Sequence, residues 1–264
     1  MVREFENTDY WALILGGSTG LGLASAKKLA RHGMNVIVVH RDLREHLPEI
    51  EESFEKIRQS GVQLHTFNVD ATRKDKREKI ALEIADIVGD TGKIRVLLHS
   101  ISRGNLKPMV GEDSTLSNDD FQLTIDAMAI SLYDWVKTVY SHQLFAHDAR
   151  VLSFTSEGNI KAWKNYAAVS AAKVALEAIT RSIALEFAPE GIRANCIQAG
   201  VTVTRSFQMI PGYESLRQHA VRRNPYRRLT TPDDIANAVY LLSKDEASWI
   251  TGTIIPVNGG EHLK

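Results

Sequence analysis

Leu15-Gly16-Gly17-Ser18-Thr19-Gly20-Leu21-Gly22 follows a short apolar run, 11–15, and opens an amphipathic stretch that continues through Ala30. Glycines at 16, 20 and 22 permit a tight turn, close approach of backbone to a pyrophosphate, and tight packing of a helix on a strand. The N–H groups left unpaired at the start of such a helix suit phosphate oxygens. A lone glycine pattern also makes ordinary turns. Its place in the first strand–turn–helix unit of an alternating chain makes it a dinucleotide loop. Gly16, Ser18, Thr19, Gly20, Leu21 and Gly22 are therefore the first candidate cofactor contacts.

The alternation runs to the end of the chain. Strands are expected at 11–15, 35–39, 63–67, 96–99, 150–154, 193–198 and 253–257, and helices at 20–33, 48–60, 73–89, 117–147, 164–188 and 232–243. Thr231-Pro232-Asp233-Asp234 and Ser117-Asn118-Asp119-Asp120 each supply a capping hydroxyl and acids for a first helical turn. No repeat or linker divides residues 1–264, so one domain is expected. The fold class is α/β: a Rossmann-type, doubly wound, seven-stranded parallel sheet with helices on both faces. Such a sheet binds ligands at the carboxyl ends of its strands.

Composition narrows the function classes. The 264 residues hold 32 basic and 32 acidic side chains, and zero net charge argues against binding nucleic acid or membrane by bulk charge. The single cysteine, Cys196, excludes an intrachain disulfide and lies in a predicted strand, where a buried inert thiol is expected. His142, His147 and His219 show no ligand spacing, so no metal is expected. The charged stretch Met1–Glu6 lacks the character of a signal peptide, and no apolar run is long enough for a bilayer; a cytoplasmic location is the expectation.

At the end of the second predicted strand, Val38-Val39-His40-Arg41-Asp42 bears on which dinucleotide is bound. A carboxylate there accepts the adenosine ribose hydroxyls and favours NADH, whereas a basic residue accommodates a 2′-phosphate. His40 falls where the carboxylate would stand, and Arg41 follows with a planar fork of donors. NADPH is expected ahead of NADH. Asp42 is the alternative ribose ligand if the register lies two residues off.

These features resemble the short-chain dehydrogenase/reductase family over nearly the whole chain, with Asn68-Val69 similar to its adenine-contacting turn and Val257-Asn258-Gly259-Gly260 to its C-terminal signature. Three details resemble one branch, the enoyl-acyl carrier protein reductases. Where most members carry Asn-Asn-Ala-Gly, this chain reads His99-Ser100-Ile101-Ser102, which makes Ser100 and Ile101 cofactor contacts by resemblance. The usual catalytic tyrosine stands four residues before its lysine, but here that position is Val169, and Tyr166 stands seven before Lys173. The relay asparagine of ketone-reducing members falls on Met128, which cannot relay a proton. The ordinary glycine loop, and Ser156 where the commonest enoyl reductases often have a second tyrosine, resemble a smaller NADPH-using group. Gly200, Thr202 and Thr204 resemble the family's nicotinamide amide and pyrophosphate contacts.

Helix geometry gives the shifted tyrosine a reason. Seven residues are nearly two turns, so Tyr166 and Lys173 share a face about 10.5 Å apart along the axis, against about 6 Å for a spacing of four. The longer spacing weakens the lysine's influence on the phenol. In an enoyl thioester, charge develops on a carbonyl oxygen remote from the carbon that takes hydride, which suits a displaced donor. Tyr166 is expected to hydrogen-bond the enolate, Lys173 to hold the nicotinamide ribose, and Thr155 and Ser156 to line the pocket.

Between Arg205 and Arg228 lie six arginines (205, 217, 222, 223, 227 and 228) and one acid, Glu214, beside Phe207, Met209, Ile210, Tyr213 and Leu216. A flap over about 203–228 is expected to cover an acyl chain, its basic rim receiving a phosphopantetheine or an acidic carrier protein; a solvated helix face is the competing reading. The expected activity is NADPH-dependent reduction of the trans-2 double bond of an enoyl thioester on acyl carrier protein or coenzyme A, in fatty-acid or related acyl-chain biosynthesis. A 3-oxoacyl or carbonyl reductase is the second candidate, and a non-catalytic nucleotide sensor the third. The resemblance also implies a homodimer or homotetramer.

Overall fold

Trp11 through Leu15 are buried on both faces of the sheet, the condition under which a strand reads as a continuous apolar run. They form the centre of the computed structural model, which describes residues 2–112 and 114–264. The strands are β1 (Tyr10–Leu15), β2 (Asn35–His40), β3 (Leu64–Asn68), β4 (Lys93–His99), β5 (Phe145–Ser156), β6 (Ile192–Ala199) and β7 (Ile254–Val257). They lie in the order β3-β2-β1-β4-β5-β6-β7, every neighbouring pair parallel. The chain winds outward from β1 in both directions, and the crevice this opens at the carboxyl ends of β1 and β4 is where such sheets bind ligands.

The helices between the strands are α1 (Gly20–Arg31), α2 (Leu47–Arg58), α3 (Lys74–Val88), α4 (Asn118–Ile125), α5 (Ser131–Ser141), α6 (Ala167–Glu186), α7 (Arg205–Gln208), α8 (Tyr213–Arg223) and α9 (Pro232–Ser243). Alternate residues of one strand feed opposite layers. Leu13, Leu15, Val39 and Leu97 pack with Ile84 of α3, Trp135 of α5 and Leu176 of α6. Ala12, Ile14, Val38 and Leu98 pack with Leu29 of α1, Phe54 of α2 and Val239 of α9. Cys196 is fully buried, its Sγ against Ser153 and Thr180. No helix among the described residues is long and apolar enough to cross a membrane.

Two expected boundaries move. The helix expected over 117–147 is α4, a π turn at Asp126–Ile130, and α5, which ends at Ser141. The π turn keeps the chain on a helical path and contains no glycine or proline to mark the break, so the stretch reads as one helix. Gln143 then turns the chain out of α5 at φ 56°, and Phe145 pairs with Ile94 as the start of β5. The strand expected at 150–154 is only the centre of β5. The capping sequences form as written: Ser117 and Thr231 each close a capping box with Asp120 and Asp234.

Candidate active site

A cavity of about 540 Å³ opens over the carboxyl ends of the strands and is lined by the glycine loop, the ends of β2, β4, β5 and β6, the start of α6, and the 203–210 segment. Gly16 takes φ 84°, and a Cβ there would stand 2.6 Å from Ser100 O, so only glycine lets the loop lie this close to the end of β4. Gly22 lies outside the cavity lining. A Cβ at Gly22 would stand 2.2 Å from Gly16 O, so its part is to let α1 pack on the loop.

The start of α1 differs from those of α4 and α9. Thr19 is its N-cap, yet the hydroxyl caps nothing and no acid lies in the first turn. The boxes of α4 and α9 satisfy their own amides and carry acids. The first amides of α1 are therefore left for an anion from outside, with Ser18, Thr19, Gly20 and Leu21 lining the cavity and Thr204 facing them from beyond β6. This cradle fits the pyrophosphate of a nicotinamide dinucleotide.

At the adenosine end, Arg41, Asp42, Val69 and Asp70 line the cavity. His40 is buried, lines the same cavity, and donates from Nδ1 to Asp42 Oδ2 at 2.8 Å. Asn68 is placed otherwise than the sequence suggests: it lies outside the cavity lining. Its amide Nδ2 donates to Asp42 O at 3.1 Å and its Oδ1 accepts from Asp42 N at 2.9 Å, which pins the turn after β2. The period-2 alternation of β3 turns this side chain away, so Asn68 shapes the adenosine end from behind.

At the reacting end, Ser100, Ile101, Ser156, Tyr166, Lys173, Gly200 and Thr202 come together around the cavity. Tyr166 is the N-cap residue of α6 rather than part of its barrel, because Asn165 takes φ 62° just before it. The phenol so released reaches toward β5, with its hydroxyl 3.4 Å from Ser156 Oγ. Burial raises the phenol above its ordinary value of 10, and the Ser156 contact works weakly the other way. Lys173 donates from Nζ to Phe154 O at 2.6 Å, and burial lowers its ammonium from 10.5 to about 8. Its hydrogen bond goes to the backbone of β5 and not to Tyr166. Thr155 lines the cavity and gives its hydroxyl to Glu177 Oε1 at 2.5 Å; Asn159 donates to the same oxygen. That buried carboxylate ties the end of β5 to α6.

His99 is pushed down to about 3 by burial and by the Lys173 charge, and it holds Ser131 Oγ at 2.8 Å. It is neutral, part of the support behind Ser100. Met128 is 1% exposed and lines the cavity from the π turn. Phe207 and Ile210, from α7 and the turn after it, pack on Met128, Tyr166 and Val169, which makes the expected flap an apolar cover over the phenol.

The sequence pattern described as "Enoyl-(Acyl carrier protein) reductase" matches residues 16–262. The chain belongs to this family. As a member of it, the enzyme is an oxidoreductase of the short-chain dehydrogenase/reductase class with a nicotinamide dinucleotide fold. It is 28% identical over 263 residues to the enoyl-[acyl-carrier-protein] reductase [NADPH] FabI of Staphylococcus aureus, covering 98% of each chain. It is 26% identical over 257 residues to a peroxisomal 2,4-dienoyl-CoA reductase of Rattus norvegicus, covering 97% of this chain and 84% of that one. A crystal structure of the enoyl-[acyl-carrier-protein] reductase (NADH) of Aquifex aeolicus shares its fold, with a TM-score of 0.84, 23% identity and 98% of each chain covered.

The sequence pattern of this oxidoreductase does not point to several lining residues, among them Asp70, Arg103, Glu157, Trp163 and Glu261. For Asp70 and Arg103 a signal was present: each is a charge placed directly after a quoted strand-end motif, Asn68-Val69 and His99-Ser100-Ile101-Ser102. Glu157 and Glu261 meet only through the fold, where Arg223 of α8 binds both Glu157 oxygens at 2.7 Å and Glu261 O at 2.9 Å.

Proposed function

We propose that this enzyme reduces the trans-2 double bond of an enoyl thioester, with NADPH as its cofactor and acyl carrier protein or coenzyme A as the carrier of the chain. The observation that carries the reading is the buried Tyr166 phenol, neutral and set apart from the lysine's hydrogen bond. A phenol driven by an adjacent ammonium suits proton delivery to an alkoxide. A neutral phenol aimed into an apolar pocket suits hydrogen bonding to an enolate oxygen that forms some distance from the reduced carbon. Bound nicotinamide would supply the hydride. In this reading Lys173 holds the cofactor ribose, and Met128, Phe207 and Ile210 keep water from the reacting atoms.

The basic rim is smaller than the count of arginines suggests. Arg205, Arg223 and Arg228 pair with Glu49, Glu157 and Asp234. Arg217, Arg222 and Arg227 are exposed, with no acidic partner among the described residues, and these support docking of an acidic carrier protein. Exposed Leu123, Ile130 and Tyr133, along α4, the π turn and α5, support pairing into a homodimer or homotetramer.

The test is oxidation of NADPH by the purified enzyme with crotonyl and with acetoacetyl thioesters, followed by nicotinamide absorbance. Turnover with the crotonyl thioester is expected. Turnover with acetoacetyl thioester alone sinks the enoyl reading in favour of a ketone reductase; tight NADPH binding with no turnover of either favours a sensor.

A further inference from the structure

Arg41 and Arg103 converge on one oxygen: each donates from Nη1 to Asp70 Oδ2 at 3.0 Å. The other oxygen, Oδ1, accepts from Thr72 N at 3.1 Å and Thr72 Oγ1 at 2.6 Å, which fixes the plane of the carboxylate. All three charged residues line the cavity. They arrive from three strand ends, Arg41 after β2, Asp70 after β3 and Arg103 after β4. In the sheet, β3 and β4 are separated by β2 and β1, three interstrand steps or about 14 Å. The Arg103–Asp70 pair therefore reaches across the carboxyl ends of β1 and β2, where the adenosine half of a dinucleotide belongs.

Ion pairs this open to solvent contribute little to a fold, with the Arg41 and Arg103 side chains 54% and 39% exposed. Each guanidinium makes a single hydrogen bond among the described residues and keeps the rest of its donor fork free. The two guanidinium groups share one carboxylate oxygen, so both keep donors for an anion. Asp42, the neighbouring carboxylate that would bind ribose hydroxyls, is already engaged by His40. Two adjacent forks with unused donors fit the oxygens of a phosphate dianion.

We propose that Arg103 is a second ligand of the adenosine 2′-phosphate, acting with Arg41 from across the sheet, and that Asp70 is a positioning residue that holds the two guanidinium groups together. The inference rests on the NADPH reading above. It is tested without turnover, by calorimetric titration of the purified protein with 2′,5′-ADP and 5′-ADP, and with NADPH and NADH. Arg103→Ala is expected to weaken 2′,5′-ADP and NADPH by about tenfold or more while 5′-ADP and NADH hold within about twofold, the pattern of a lost charge-assisted bond. Arg103→Lys, which keeps the charge and loses the fork, is expected to fall between. Equal weakening of all four ligands by Arg103→Ala, or no weakening, overturns the proposal. Selectivity lost in Arg41→Ala but kept in Arg103→Ala would then leave Arg41 as the sole reader and the NADPH assignment intact. If the unaltered enzyme binds 5′-ADP as tightly as 2′,5′-ADP, the NADPH assignment itself fails.

Discussion

Tyr166 and Ser156 face each other hydroxyl to hydroxyl at 3.4 Å, where the end of β5 meets the first turn of α6. The contact exists because Tyr166 stands at the helix N-cap and not within the helix, so its ring is free to lean across to β5. Replacing Tyr166 by phenylalanine keeps the ring and removes the donor. Turnover is expected to fall about 10²- to 10³-fold, the cost of one oxyanion donor, with NADPH affinity unchanged. Steady-state rates and a binding titration on the same variant check this. Unchanged turnover would remove Tyr166 from the role of enolate donor.

Lys173 supplies the pH dependence. Burial lowers its ammonium from 10.5 to about 8, so the charged form predominates below that value and is lost as pH rises through it. With the proton goes the charge-assisted bond to Phe154 O and the lysine's hold on a bound ribose. NADPH affinity of the unaltered enzyme is expected to decline with a midpoint near 8, whereas Lys173→Met binds weakly and with a flat profile. A midpoint retained in the methionine variant would assign the titration to another group.

What sequence alone disclosed follows a physical division. The glycine loop, the capping boxes and the strand cores were legible because each depends on residues near in sequence. Sequence pattern did not separate α4 from α5, since the π turn carries no helix-breaking residue, and the expected helix hid the first residues of β5. Asn68 matched a cofactor motif by spacing, but the alternation of β3 sets its side chain behind the site. Arg103 and Asp70 stood in plain view as single charges. Their meeting needs the strand order β3-β2-β1-β4, which no local pattern encodes. The arginine-rich flap was read by count, and the fold engages half of those side chains in ion pairs.

Gly158 sets the position of the phenol. A Cβ on it would stand 2.6 Å from Tyr166 Cε1 and 3.0 Å from Cδ1, closer than carbon atoms pack. Ring and turn cannot both hold their places, and a shift of either changes where the phenol stands relative to Ser156. Gly158→Ala is therefore expected to cost up to about 10²-fold in kcat, the scale of a catalytic group displaced by an ångström. The melting temperature should change little by comparison, since the strain falls on one side chain at a cavity wall. A variant as active as the parent would show that the tyrosine has room to move without loss.

At the opposite end of the sheet from the cavity, Asp148 holds the fold in a way that is separable from activity. Its carboxylate receives Arg95 Nη1 at 2.8 Å, Arg150 Nη2 at 3.0 Å and Arg193 Nη1 at 2.5 Å, and the Arg95 and Arg150 side chains are each 1% exposed. Burial alone would raise the Asp148 carboxyl, but the Arg150 guanidinium, with Arg95 and Arg193, holds it below 3.8. A carboxyl lowered by folding contributes stability that is complete above its unfolded value and is lost as pH falls through its folded one. Asp148→Asn removes the carboxylate that three guanidinium groups share, and because Arg95 keeps Asp245 and Arg150 keeps the carbonyls of Leu242 and Lys244, a loss of about 2–3 kcal/mol of stability is expected near neutral pH. The gap between the variant and the parent should start to narrow as pH falls below about 4, where the unfolded carboxyl takes up a proton, and close as pH falls through the lower folded value. Urea denaturation at neutral and at acid pH reads both halves of the prediction. NADPH affinity, measured well below the variant's melting temperature, should match the parent's, because this cluster lies at the ends of β4, β5 and β6 remote from the cofactor cavity.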